Sequence, residues 1–142
     1  MPESGVELAF VCQRCNALSP MAAAIAEGVS PEVAAASAGT NPDGRILPGA
    51  LTALREVGID TTGIAPAPVQ RAQLEAADAV VAIGPGLVDD PIFEGLSPEQ
   101  WEIDNPEGGQ LAAFRRARDD LGLRVRELLR EEGLDLDDPA ER

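Results

Sequence analysis

Residues 10–21 read FVCQRCNALSPM, and they bring two thiols and a hydroxyl, Cys12, Cys15 and Ser19, into one short stretch. An apolar run, Val6 to Val11, leads into Cys12, a small polar loop follows, and an Ala-rich segment comes next. A loop between a buried strand and a helix N-terminus directs backbone N–H groups into one concavity, and with the helix dipole this binds anions. The same field lowers a cysteine pKa and favours the thiolate. A thiolate beneath an oxyanion-binding loop is equipped to attack phosphorus or arsenic. On this reading Cys12 is the nucleophile, and Gln13, Arg14, Cys15, Asn16, Ala17 and Leu18 form the anion-binding loop. The plainer reading is that Cys12 is a small apolar residue finishing a strand.

Cys12 and Cys15 also form a CxxC. After a strand and before a helix, that spacing serves thioredoxin-like redox sites, and it makes Cys15 a redox partner if the loop lets a disulfide close. Otherwise Cys15 simply fills a loop position. Two thiols with no histidine in the chain do not complete a closed zinc shell, so no metal is expected.

The elements that must position these residues alternate. VELAFV at 6–11 reads as a buried strand, with a helix over 19–28, Ser19 as its N-cap and Pro20 at its first position. A weaker strand over 32–36 runs into SAGT, and NPDGR at 41–45 is a turn. A helix opens at Pro48 and stops at Gly58, and a short helix lies around 69–76. AVVAI at 79–83 is a third buried strand. The Pro- and Gly-rich stretch 84–98 is an excursion, and WEID at 101–104 is a short fourth strand. Leu111, Phe114, Ala117, Leu121, Val125 and Leu128 recur at helical spacing over about 110–132. Strands alternating with helices imply a parallel sheet with helices on both faces, and ligands at the carboxyl ends of the strands, where Cys12 lies. The expectation is an α/β fold, a three-layer α/β/α sandwich on a four-stranded parallel sheet. Residues 1–133 make one domain, and 134–142 are an acidic, frayed tail.

The chain has 142 residues, enough for one core, and a formal net charge of −14. All its basic residues are arginine. A field of this sign repels nucleic acid and anionic membranes, and neither is an expected partner. The surface suits either solubility alone or a high-salt cytoplasm. No apolar run approaches a membrane span, and the N-terminus lacks a signal peptide's basic start, so the expected compartment is the cytoplasm.

The chain resembles the low-molecular-weight protein tyrosine phosphatase family, including its thiol-dependent arsenate reductase branch. The resemblance runs in order through FVC, SPMAAA at 19–24, SAGT at 37–40, ALREVGIDTTG at 53–63, AADAVVAI at 76–83, WEIDNP at 101–106 and FRRARDDLGLRVRELL at 114–129. It implies the four-stranded parallel sheet and a Cys-x5-Arg-Ser loop, with a nucleophilic cysteine, an arginine on the equatorial oxygens, a serine supporting the thiolate, and an Asp before a Pro as the acid. Cys12 and Ser19 match. Leu18 stands at the arginine position, without charge or donor, and Asn105 at the acid position before Pro106, where an amide cannot act as a general acid. Asp104 is the expected substitute acid, and Arg14 a replacement guanidinium.

The resemblance further implies phosphate, arsenate or a phosphorylated compound as ligand, and no cofactor beyond an external low-molecular-weight thiol if arsenate is reduced. Branches with an internal disulfide cascade carry further cysteines near the third strand, where AIGPGLVDD has none. Two classes of function follow: a thiolate-dependent phosphatase or arsenate reductase with weak or altered activity, or a degenerate member that binds an anion or another protein. The CxxC redox protein is a third.

Overall fold

A computed structural model describes residues 5–42 and 44–136. The strands are β1 (Val6–Cys12), β2 (Val33–Gly39), β3 (Ala79–Ile83) and β4 (Glu99–Trp101), and the helices are α1 (Leu18–Val29), α2 (Pro48–Glu56), α3 (Arg71–Ala76) and α4 (Leu111–Glu131). The strands form one sheet in the order β2-β1-β3-β4, every pair parallel.

Alternation along β1 divides the core. Val6, Leu8, Phe10 and Cys12 face a large apolar cluster filled by α1, α2 and α4, through residues such as Met21, Leu54 and Leu121. Ala9 and Val11 face a smaller one with Val80, Ala82, Leu74 and Phe93. Side chains on successive strand residues point to opposite faces, so a strand buried on both sides reads as the continuous apolar run seen here. Phe10 meets Trp101 with ring centroids 5.7 Å apart, fixing β4's end against the central strand.

Three boundaries differ from the sequence-based expectation. The second strand extends to Gly39, because Ser37, Ala38 and Gly39 pair with Phe10, Val11 and Cys12 of a central neighbour. Pairing of this kind overrides weak local β preference. The fourth strand is Glu99–Trp101 rather than 101–104, since its partner β3 ends at Ile83, paired with Trp101, and Gly84 turns the chain away. Helix α1 starts at Leu18 with Ala17 as its N-cap, so Ser19 lies inside the first turn and caps nothing.

The 84–98 excursion folds into two short 3-10 turns, Leu87–Asp89 and Pro91–Phe93, the second begun by Asp90, whose carboxylate accepts from Ile92 N–H at 2.9 Å. Of the expected tail 134–142, Leu134 and Leu136 pack against the larger core, while 137–142 lie outside the described residues, as does Asp43 of the expected 41–45 turn. Among the described residues no helix is long and apolar enough to cross a membrane.

Candidate active site

Cys12 ends β1, and its register partner Gly39 ends β2. The loop after Cys12 is fastened to the chain beyond β2 by backbone bonds, Thr40 N–H to Cys12 C=O at 3.1 Å and Asn41 N–H to Gln13 C=O at 2.7 Å. Leu47 N–H donates to Asn16 C=O at 2.8 Å. The approach is close enough that a Cβ on Gly39 would lie 2.8 Å from Gln13 O and 2.9 Å from Cys15 Cβ, so glycine is required there. Cys15 holds a left-handed backbone, φ 54°, a conformation costing about 1–3 kcal/mol outside glycine. That turn aims Cys15 N–H at Cys12 Sγ, 3.0 Å away.

Ser19 Oγ lies 2.9 Å from Cys12 Sγ and 3.3 Å from Ala38 O. One hydroxyl proton serves two uses. In the thiol form, Cys12 donates to Ser19, which donates to Ala38 C=O. In the thiolate form, Ser19 turns its proton to the sulfur, beside the Cys15 N–H. The sequence pattern of an N-cap is thus spent on the sulfur instead.

Burial pushes the Cys12 thiol above its usual value, outweighing the hydrogen bonds from Ser19 and the Cys15 backbone that favour the thiolate. The lowered value expected from the helix N-terminus is not met. Leu18, at the first position of α1, is apolar and only 7% exposed, so position 18 supplies no cation to offset desolvation.

Above Cys12 is a cavity of about 110 Å³, room for roughly three to four waters at their liquid volume. From the loop, Gln13, Arg14, Asn16 and Leu18 line it, and from the opposite wall Asn105 and Glu107. Wider clefts exist elsewhere, one of about 510 Å³ along Glu27, Ser37 and Asp60, but none of the residues lining it is a thiol or a cation. Chemistry, not size, identifies the site.

The expected site residues separate into two groups. Cys12, Ser19 and the loop come together. Cys15 and Ala17 are buried beneath the loop, with Cys15 Sγ turned toward Ser37 Oγ at 3.9 Å. Asn105 faces the cavity as its position implied. Asp104, the expected substitute acid, does not line the Cys12 cavity but a neighbouring one, beside Arg116 and Asp120, which Asn105 also borders. Arg14 is half-exposed and leans out to Glu107, Nε to Oε1 4.0 Å.

Sequence reasoning missed Glu107, and it placed Asn16 in the anion-binding loop without singling out its side chain. Glu107 supplies a carboxyl at the cavity, brought there by a turn in which Asn105 Oδ1 accepts from Glu107 N–H at 3.1 Å. The available signal was the Asn-Pro pair, which favours turn initiation. Asn16 is 5% exposed, and its Nδ2 has no hydrogen-bond partner, an omission costing about 1–3 kcal/mol. Among the described residues no group of three or more His, Cys, Asp or Glu side chains could hold a metal.

The low molecular weight phosphotyrosine protein phosphatase model matches residues 7–139. A glutaredoxin arsenate reductase of Synechocystis sp. is 30% identical over 128 residues, spanning 84% of this chain and 93% of that protein. A putative arsenate reductase of Halobacterium salinarum is 27% identical over 135 residues, spanning 91% of this chain and 94% of that protein. A solved arsenate reductase in its phosphate-binding state superimposes with a TM-score of 0.82 at 28% identity, over 90% of this chain and 99% of its own.

Proposed function

The chain belongs to the low-molecular-weight phosphotyrosine protein phosphatase family, and from that premise we propose that it handles phosphate or arsenate at Cys12, with weak or altered turnover. The observation carrying this is a cysteine sulfur held by Ser19 Oγ at 2.9 Å and Cys15 N–H at 3.0 Å at the floor of a small cavity. A core cysteine finishing a strand has no use for either.

With a phosphate ester, the Cys12 sulfur forms an S–P bond while the bond to the leaving oxygen breaks, and that oxygen takes the electron pair and needs a proton. Asn105 cannot supply one. Leu18 offers no donor to the equatorial oxygens. One preorganised donor is worth about 3–4 kcal/mol of barrier, and a general acid roughly 10²–10⁴-fold. Both are missing, so a Cys12-dependent phosphatase reaction here is slow.

With arsenate, Cys12 forms an S–As bond with loss of water. An external thiol then attacks the Cys12 sulfur, the S–As electron pair leaves with arsenic as arsenite, and a mixed disulfide remains. A second thiol restores Cys12. Arsenic gains two electrons, and two external thiols end as a disulfide. The external source follows from the cysteine count, because the chain has only two and Cys15 lies beneath the loop. Both cysteines are free, which suits a reducing compartment and the cytoplasm. The charge of −14 argues against nucleic acid and anionic membrane as partners.

Leu18 and Asn105, both facing the cavity, favour a second reading, an anion-binding protein without turnover. Assays with an aryl phosphate, and with arsenate plus glutathione, separate the two. Slow turnover abolished by Cys12→Ser is expected. Anion binding without turnover gives the second reading, and no binding to either protein contradicts both.

A further inference from the structure

The Asn16 carboxamide is a buried polar group that the chemistry above leaves unused. Its Nδ2 has no hydrogen-bond partner, the residue is 5% exposed, and it lines the Cys12 cavity together with Leu18. Buried donors without partners are few in folded proteins; this one is out of solvent's reach on a residue that lines a reactive cavity, where a turn of the amide would offer it to a ligand's acceptor. We propose that the Asn16 amide is the side-chain donor to the bound oxyanion, taking the place of the guanidinium that Leu18 does not provide. The inference rests on the oxyanion reading of the Cys12 loop and deepens it.

Three features suit Asn16 to this task. Its backbone is pinned, because its C=O accepts from Leu47 N–H at 2.8 Å. Its last torsion is broad and roughly two-fold, so the NH₂ can turn to an arriving oxygen at little cost. Its position in the loop between Cys12 and α1 puts it beside the helix N-terminus, where anions are favoured. The chemistry differs from an arginine's. An amide NH₂ donates without charge and without a planar fork, so it grips an oxygen but adds no cation to stabilise a thiolate or a dianion. The ligand class is a small tetrahedral oxyanion with a free oxygen, phosphate or arsenate.

Phosphate and arsenate titrations by calorimetry test this on the wild-type chain, Asn16→Leu and Asn16→Ala, each with a thermal melt. Leucine is close in size and removes the donor together with its missing bond, so Asn16→Leu should melt no lower than wild type. Its affinity for both anions should fall about ten- to a hundredfold, the loss expected for one hydrogen bond to a charged group. Should leucine prevent folding, Asn16→Ala reads the same loss of donor with the loop less crowded. A folded variant of either kind that binds both anions as wild type does overturns the role of Asn16. A wild-type chain that binds neither anion overturns the oxyanion reading and this inference together, whereas wild-type binding with unaffected variants overturns only the latter.

Discussion

Replacing Leu18 with arginine should lower the Cys12 pKa, and its size can be worked out from the site. The thiol is now held above its usual value by burial, and its hydrogen bonds do not compensate. Leu18 and Cys12 line one cavity, so a guanidinium at 18 would open onto the same space as the sulfur, and an opposite charge within about 4–6 Å lowers an acid's pKa by roughly 1–3 units. Coulomb's law agrees. At an effective dielectric of about 20, such a pair gains roughly 3–4 kcal/mol, or some 2–3 units. The change also costs stability. It loses a buried leucine, about 1.5–3 kcal/mol, and puts a cation at a helix N-terminus, about 0.3–1 kcal/mol more. Bound phosphate should recover part of that loss by mass action. Cys12 alkylation rates across pH, localised by peptide mass spectrometry, give the pKa directly. A folded Leu18→Arg protein with an unchanged Cys12 pKa would refute the reasoning, because position 18 would then not face the sulfur.

Further outcomes follow from the same geometry. Leu18→Arg with Asn105→Asp should raise aryl phosphate turnover more than the single changes combined, since an acid helps only once the phosphate is held; steady-state kinetics check this, and additive effects count against it. Gly39→Ala should destabilise by about 1–3 kcal/mol and weaken anion binding, because its Cβ would press on Gln13 O and Cys15 Cβ, measurable by denaturant titration and calorimetry. The raised Cys12 pKa means the folded state keeps its proton above the unfolded value of about 8.5, so this contribution to stability is full below that pH and is lost as pH rises toward the folded pKa. Urea titrations in alkaline buffers should show that decline in wild type and a flatter profile in Cys12→Ala.

The sheet was legible because buried parallel strands leave unbroken apolar runs, as in VELAFV and AVVAI. The end of β4 was not, because it is set by where β3 stops rather than by anything in WEID. Ser19 was legible in one role and not in the other. The family resemblance gave its hydroxyl as the sulfur's partner, and it lies 2.9 Å from Cys12 Sγ, whereas the N-cap suggested by its place before Pro20 is not used. The Cys12 pKa was misjudged because the helix field can be read from sequence while the depth of burial cannot. Glu107 and the unpartnered amide of Asn16, a residue already expected in the loop, were hidden for a similar reason. A turn brings the first to the cavity, and the second is notable for a hydrogen bond it does not make.

A crystal structure of the wild-type chain soaked in arsenate shows whether the Cys12 cavity holds an oxyanion. A tetrahedral arsenic centre is expected in the cavity above Cys12 Sγ, with Asn16 Nδ2 donating to one oxygen. Arsenate absent from that cavity in crystals whose Cys12 is reduced and accessible to alkylation would contradict that expectation.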